Sequence, residues 1–298
     1  MKVADFKEID RFKRFLKVEK GLSSNSIFSY TYDLKKFNAF LEDSNKNIMS
    51  ASQDDIKKFL SFEKTKRNNS SRTLARSLAA IRQFYNYVSI TLEVPNPTEK
   101  IETPQIRKSL PDFLSTEEID RLFNSISDDD PFELRDKTMF ELLYSCGMRI
   151  SEAIEIKIMD IDYDSRFIKL SGKGNKERIV PIGLQAVKMI KLYVKKSRGE
   201  ILGKRESEFL FISKKGSKLN RKSVWRLLKG YVDRTNIKKN ITPHTLRHSF
   251  ATHLIENGAD LRSVQELLGH MDISTTQVYT HLAKKKLQEF HSQFHPKG

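Results

Sequence analysis

The sequence predicts a mainly α-helical protein in two parts. An N-terminal helical bundle comes first, then a larger, mostly helical domain holding one small antiparallel β-hairpin. Three observations carry this. Apolar residues recur at three- and four-residue steps through residues 5–88 and again beyond 115, the period of helices with one buried face. That pattern breaks between Pro95 and Pro111, where PNPTEKIETPQIRKSLP holds four prolines and no sustained period. Around 167–182 the period shortens to strand-like alternation on either side of a Gly- and Asn-containing turn. A chain of 298 residues is long enough for two domains, each with its own core.

In the first part, Phe6, Ile9, Phe12, Phe15 and Leu16 mark an amphipathic helix over 5–19. Ser23-Ser24-Asn25 caps the next, which buries Ile27, Tyr30, Leu34, Phe37, Phe40 and Leu41. Gln53 or Asp54 opens a third, with Ile56, Phe59, Leu60 and Phe62 inside. Ser70-Ser71 opens a fourth, with Leu74, Leu78, Ile81, Phe84, Tyr85 and Val88 inside and Arg72, Arg76 and Arg82 outside. Four helices with short connections predict a compact bundle. The proline-rich stretch then reads as an extended connector, giving domains 1–94 and 112–298 joined by 95–111.

In the second part, Ser115-Thr116-Glu117-Glu118 starts a helix. Asp128-Asp129-Asp130 lacks the alternating ligands and Gly of a calcium loop and reads as a solvated turn before Pro131. A helix over Phe132–Tyr144 runs to Gly147, and Arg149 stands just ahead of a helical segment from Ser151 to Lys157. The hairpin pairs Phe167, Ile168 and Leu170 with Ile179, Val180 and Ile182, leaving Lys173 at its tip. Residues 184–240 look helical and strongly basic. Trp225 is expected to pack near Val224, Leu227 and Leu228, and Arg221, Lys222 and Arg226 are candidates for phosphate contacts.

Thr242 and Pro243 mark the next helix start, which places His244 and Arg247 three residues apart on one face. Asn257-Gly258 ends that helix. A further helix, about Asp260–Leu268, stops at Gly269 and delivers His270. Thr275-Thr276 leads into a segment carrying Tyr279. A short amphipathic helix with Leu282, Leu287 and Phe290, followed by Phe294, closes the chain and needs a surface to cover its apolar stripe.

Composition narrows the function classes. A 38% hydrophobic, 31% charged chain is globular. Its net charge of +16, divided evenly between residues 1–108 and the rest, points to a polyanionic partner, although ribosomal and membrane-surface proteins share such a balance. The single cysteine, Cys146, lies in an apolar run and reads as core; it excludes an intrachain disulfide or a cysteine-based zinc site. No apolar run approaches the ~20 residues of a membrane span, and the start is too charged for a signal peptide, so a cytoplasmic location and no membrane partner are expected.

Helix ends thus bring an imidazole, a guanidinium, a second imidazole and a phenol toward one place. A fixed guanidinium suits an oxyanion such as phosphate. A phenol beside cations and a base can act as a nucleophile. The set fits phosphoryl transfer through a covalent phosphotyrosine.

Several stretches carry a resemblance: HTLRHSFATHLIENGADLRSVQELLGH at 244–270, STTQVYTH at 274–281, CGMRISEAIEI at 146–156 and LSGKGNKERIVPI at 170–182. With GLSSNSIFSYTYDLKKFNAFL, SSRTLARSLAAIRQFYNYV, NPTEKI and the tail from Thr280, the chain resembles the tyrosine recombinase (phage integrase) family, Xer branch, from end to end.

The resemblance implies a SAM-like core-binding domain that forms one arm of a DNA clamp, its Arg-rich faces on phosphates or bases, and a catalytic domain forming the other. It implies that Arg149 and Arg247 hold the scissile phosphate and that His270 adds a hydrogen bond. His244 would serve as base, Lys173 would protonate the leaving 5′-oxygen, and Tyr279 would become the 3′-phosphotyrosine. Those cations would do the electrostatic work of a metal, so no metal and no cofactor is expected. The His244/His248 pair is not a zinc motif, because Thr245 stands where a glutamate would be required; His248 is expected to be structural or to support the site.

The implied partners are double-stranded DNA with a specific recombination site and further protomers. These would be a dimer per site and a homotetramer in the synapse, or a heterotetramer with a second Xer recombinase. A division-associated DNA translocase is a further family expectation. The C-terminal helix, about 283–298, would dock on a neighbouring protomer. Resolution of chromosome dimers through a Holliday junction at a dif-like site is the favoured role. A phage or mobile-element integrase and a non-catalytic DNA-binding protein are the alternatives.

Overall fold

The structure is a computed structural model that describes residues 3–105, 112–171, 177–269 and 281–297. The chain divides into two compact units, Met1–Ser109 and Leu110–Gly298.

The first unit is built on α1 (Val3–Val18), α2 (Ser24–Glu42), α3 (Gln53–Thr65) and α4 (Ser71–Leu92). Ser23, Ser52 and Ser70 cap the last three by accepting a backbone N–H from the first turn, and Asp55 returns the bond to Ser52. The apolar stripes meet in a core that includes Phe12, Leu34, Phe37, Phe59, Leu78 and Phe84. Tyr85 reaches through it to donate its hydroxyl to Ile48 O at 2.6 Å.

Two of the outward arginines on α4 are tethered. Arg76 pairs with the buried carboxylate of Asp33, and Arg82 donates to Ile101 O at 2.6 Å and Thr103 Oγ1 at 3.2 Å. The first half of the proline-rich stretch is therefore not free connector. Thr98 is fully buried with its N–H and hydroxyl on Asn96 Oδ1, and Ile101 joins the core with its carbonyl satisfied by Arg82.

The second unit begins with α5 (Thr116–Asn124) and α6 (Pro131–Ser145), followed by one turn of helix, α7 (Ile150–Ala153). Asp130 caps α6 by accepting from Phe132 and Glu133 N–H. Asp128 and Asp129 pair with Lys137 and Lys196, so the acidic run is a cap with two surface ion pairs. Strands β1 (Ile161–Asp162), β2 (Phe167–Ser171) and β3 (Glu177–Pro181) form an antiparallel sheet in that order. Phe167 pairs with Pro181 and Ser171 with Glu177.

The expectation of helix throughout 184–240 needs correction. The chain forms α8 (Leu184–Tyr193), a π-helical turn (Val194–Arg198), α9 (Gly199–Leu202) and α10 (Arg221–Val232). Between α9 and α10 it is irregular, with Leu210, Phe211 and Ile212 buried. Gly203 and Gly216 adopt positive φ there, and Arg198 holds the segment by donating to Ser207 O and Phe209 O, both at 2.7 Å. Trp225 is likewise not packed as expected: it is 45% exposed with Lys229 over its ring. It shares an open recess of about 540 Å³ with Arg221, Lys222 and Arg226.

Three helices complete the unit: α11 (Pro243–Glu256), α12 (Leu261–Leu268) and α13 (His281–Phe294). In this single chain the end of α13 packs on its own unit. Leu287, Phe290 and Phe294 lie against the core, and Asn257 donates to Phe294 O at 2.7 Å. The contact is built largely from imidazoles. His291 donates Nε2–H to Ser145 O at 2.6 Å, and its ring stacks on His295 at 4.9 Å. His253, on α11, bonds the Tyr144 hydroxyl at 2.9 Å. Lys297 reaches Glu141 at 3.2 Å and lies over the Phe123 ring. Among the described residues, no helix is long and apolar enough to cross a membrane.

Burial pushes the Cys146 thiol up to about 12, so it should resist alkylation in the native protein and react only on unfolding. The tail should respond to pH. Burial lowers His253, His291 and His295, with Lys297 and the neighbouring imidazoles adding to the effect at His295, while Glu256 and Glu117 oppose it at His253. The folded state therefore binds fewer protons than the unfolded chain. The stabilisation is complete above the unfolded histidine value of about 6.5 and fades as pH falls. Hydrogen-exchange protection of 287–297, corrected for intrinsic rates, should drop between about pH 6.5 and 5, and less so in His295→Phe, where a non-titrating ring fills the stack.

Candidate active site

The site is assembled where the end of α6, the start of α11 and the end of α12 converge. Gly147 follows α6 with φ +55°, and a Cβ there would lie 2.4 Å from the Phe250 ring and 3.0 Å from Leu268. Only glycine meets both conditions, and its turn aims Arg149 away from the core. Thr242 caps α11 by accepting from Thr245 N–H, and Pro243 occupies the first turn. One helical turn then separates His244, which is exposed, from Arg247, which is 7% exposed.

Arg247 is held by two backbone carbonyls, Gly147 O through Nη1 and Leu268 O through Nη2 at 2.7 Å. Burial, reinforced by Arg149 and Arg178, lowers its pKa to about 10, so the guanidinium is still charged at neutral pH. Arg149 has its side chain 39% exposed and uses Nη1 on Glu152 at 3.1 Å. Glu152 is buried. It accepts the Arg149 backbone N–H at 2.6 Å, as expected at the start of a helix, and it accepts both Nη groups of Arg178 from β3. Although burial raises the Glu152 pKa, the hydrogen bond and charge of Arg178, helped by Arg149, outweigh it and the net shift is downward, so Glu152 is ionised.

Of the sequence-predicted site residues, the structure brings Arg149 and Arg247 together and sets His244 one turn from Arg247. Lys173, His270 and Tyr279 lie outside the described residues, although Ser171 and Glu177 flank the first and Gly269 immediately precedes the second. His248 is half-buried on α11. Arg72 is exposed, as are Arg221, Lys222 and Arg226, whereas Arg76 and Arg82 make the contacts already described. Glu152 and Arg178 were missed in the sequence. The spacing of Arg149 and Glu152, three apart at a helix start, was a usable signal for Glu152. For Arg178, hidden in an ordinary alternating strand, there was none. Among the described residues, no cluster of His, Cys, Asp and Glu is arranged to hold a metal ion.

Two domain families match this chain. Residues 112–286 match the phage integrase family, and residues 9–89 match the phage integrase N-terminal SAM-like domain. The chain belongs to the phage integrase family. Its integrase-family relatives include the tyrosine recombinase XerD of Listeria innocua, 43% identical with 97% of this chain and 99% of the relative covered. The XerD of Halalkalibacterium halodurans is 42% identical over 97% and 98% of the two chains. Among solved structures, XerH bound to a palindromic difH substrate after cleavage has the same fold at 23% identity (TM-score 0.70, covering 95% of this chain and 84% of that one). So has a lambda integrase tetramer bound to a Holliday junction, at 16% identity (TM-score 0.71; 92% and 79%). The sequence-based family and fold assignments hold: a helical SAM-like part, then a mostly helical part with a small antiparallel sheet.

Replacing Gly147 by Ala should destabilise the second unit by about 1–3 kcal/mol, combining left-handed strain with overpacking against Phe250. Urea denaturation followed by circular dichroism measures this; an unchanged midpoint would mean that the Phe250 ring gives way freely.

Proposed function

We propose that this chain is a site-specific tyrosine recombinase of the Xer type that cuts and rejoins double-stranded DNA through a 3′-phosphotyrosine and a Holliday junction. The observation that carries the reading is the pairing of a buried, carbonyl-braced Arg247 with a half-exposed Arg149 at one turn. Two fixed guanidiniums of this kind match the non-bridging oxygens of a phosphodiester.

In the proposed reaction, the Tyr279 hydroxyl attacks the scissile phosphorus in line. Negative charge grows on the non-bridging oxygens, where Arg149 and Arg247 stabilise it and His270 donates a further hydrogen bond. His244 takes the phenolic proton and returns it in the reverse step. Lys173, whose ammonium carries a transferable proton, protonates the leaving 5′-oxygen. The new ester between Tyr279 and the 3′-phosphate replaces the broken phosphodiester. A 5′-hydroxyl from another strand can then attack it and release the tyrosine without an external energy source.

In this reading, residues 1–94 form the core-binding arm of the clamp, 95–111 the connector and 112–298 the catalytic domain. Arg72, Arg76 and Arg82 in the first and Arg221, Lys222 and Arg226 in the second contact DNA. Identity above 40% to XerD proteins over nearly the whole chain favours resolution of chromosome dimers at a dif-like site over phage or mobile-element integration. The working form is a tetramer on two sites, either of this chain alone or with a second Xer recombinase, activated by a division-associated DNA translocase. The same relationship favours a cytoplasmic location.

A nicked suicide substrate, from which the cleaved fragment diffuses away, should trap covalent protein on DNA. Tyr279→Phe should abolish trapping and keep specific binding. Arg247→Ala should slow trapping by about 10²–10³-fold, the usual consequence of losing a transition-state donor. Trapping undiminished in Tyr279→Phe would remove the assigned nucleophile.

A further inference from the structure

The catalytic groups of this site come from four separated stretches of chain, and one side chain that none of the assigned roles uses lies among three of them. Arg178 is the second residue of β3, two positions after residues 172–176, which include Lys173. Its guanidinium takes both oxygens of Glu152, one of them at 2.9 Å, and Glu152 in turn holds the backbone and side chain of Arg149. Its stem lies against Gly269, the residue before His270: a Cβ on Gly269 would come within 3.1 Å of both Cδ and Nε of Arg178. Gly269 is in the left-handed conformation at the end of α12, which favours glycine at that turn.

The consequence for Arg149 follows from counting donors and acceptors. An ionised carboxylate accepts about four hydrogen bonds, and an arginine in a fork-to-fork pair commits two N–H groups to it. Glu152 fills its fork with Arg178. That leaves Arg149 a single side-chain bond to the carboxylate, with the rest of its guanidinium directed elsewhere. Were Arg178 absent, the buried anion would have one guanidinium in reach, and the stable arrangement would be a bidentate Arg149–Glu152 pair turned inward.

We propose that Arg178 is a positioning residue for the strand-transfer reaction: by saturating Glu152 it keeps the Arg149 donors available to the scissile phosphate, and it ties the hairpin and the Gly269 turn to the same carboxylate. The inference rests on the reading of Arg149 as a phosphate-holding group. Arg178 itself does not touch the phosphate in this account. Its effect is on the rate of the chemical step and not on affinity for the site.

The test compares Arg178→Gln, Glu152→Gln and the double variant in the full-length protein, on nicked suicide substrates and in binding titrations. R178Q should form the covalent product about 10- to 100-fold more slowly, as expected when a supporting side chain is lost, with site affinity within a few-fold of the parent. In the double variant no anion remains to draw Arg149 inward, so its rate should return to within a few-fold of E152Q, a strongly non-additive pair. The double variant also avoids the unpaired buried charge that could unfold R178Q. A scissile methylphosphonate, which lacks one negative charge and so leans less on Arg149, should shrink the R178Q defect. A purely structural lesion would leave that defect unchanged.

Normal trapping in R178Q overturns the proposal. So does a double variant slower than either single one, or a defect that appears equally in binding. Failure of the recombinase reading itself looks different: no variant, including the parent chain, would leave protein on DNA.

Discussion

The second unit depends on a buried cation held by backbone. Arg247 sits inside the fold with its Nη groups on Gly147 O and Leu268 O, the carbonyls where two helices give out. Carbonyls at helix C-termini carry partial negative charge and lack intrahelical partners, so they are the backbone acceptors best suited to a guanidinium. The arrangement joins three elements far apart in sequence through one side chain. It also explains why the loop after α6 must turn through a glycine, since Gly147 has to present its carbonyl to Arg247 and admit the Phe250 ring at once.

The electrostatics of the pocket are deliberately incomplete without an anion. Three guanidiniums, Arg149, Arg178 and Arg247, face a single carboxylate, Glu152. The depressed pKa of Arg247 records the imbalance: burial and like charge make the protonated state costlier there than in water. A phosphate reverses both effects. In the proposed reaction the scissile phosphate would supply the missing negative charge, and more of it in the transition state than in the ground state. Fixed cations of this kind stabilise the transition state without reorganising at the moment of reaction. Glu152 limits the imbalance enough for the fold to tolerate it, and in the proposed account Arg178 keeps Glu152 from competing for Arg149.

Much of this was legible in the sequence because each local signal had a single physical meaning. Thr242-Pro243 and Asn257-Gly258 fixed the ends of one helix, and once those were fixed His244 and Arg247 had to share a face. The apolar period and its break at the proline-rich stretch likewise separated a helical bundle from a second, larger core. What the sequence concealed were relations across the fold. Arg82 and Arg178 look like solvated basic residues in periodic segments, and nothing local says that one binds the Ile101 carbonyl and the other a buried carboxylate. Trp225 misled for the opposite reason: an aromatic residue beside Leu227 and Leu228 suggests core, but α10 turns it outward among Arg221, Lys222 and Arg226, where a flat ring rimmed by cations remains accessible. The irregular 203–220 stretch misled because its apolar run, Leu210 to Ile212, has no period that separates helix from extended chain at that length.

The tail and the turn that carries Arg149 share a wall. Phe250 presses on Gly147 from one side and receives the rings of His291 and His295 on the other, at 6.3 and 5.3 Å. His291 also binds the carbonyl of Ser145, the last residue of α6, two positions before Gly147. The docked end of α13 therefore buttresses the turn from which Arg149 projects. Interiors packed at crystal-like density do not yield smoothly, and a ring wedged between a glycine turn and two imidazoles has few alternative rotamers. Removing the tail would leave the Ser145 carbonyl without its His291 partner and one face of Phe250 bare, so the turn would lose support on that side. The placement of Arg149 thus has two independent supports, Glu152 with Arg178 on the sheet side and the imidazole stack beneath Phe250 on the other. The role proposed for Arg149, meeting a phosphate in one orientation while half exposed to water, needs that much constraint, because its own side chain supplies almost none.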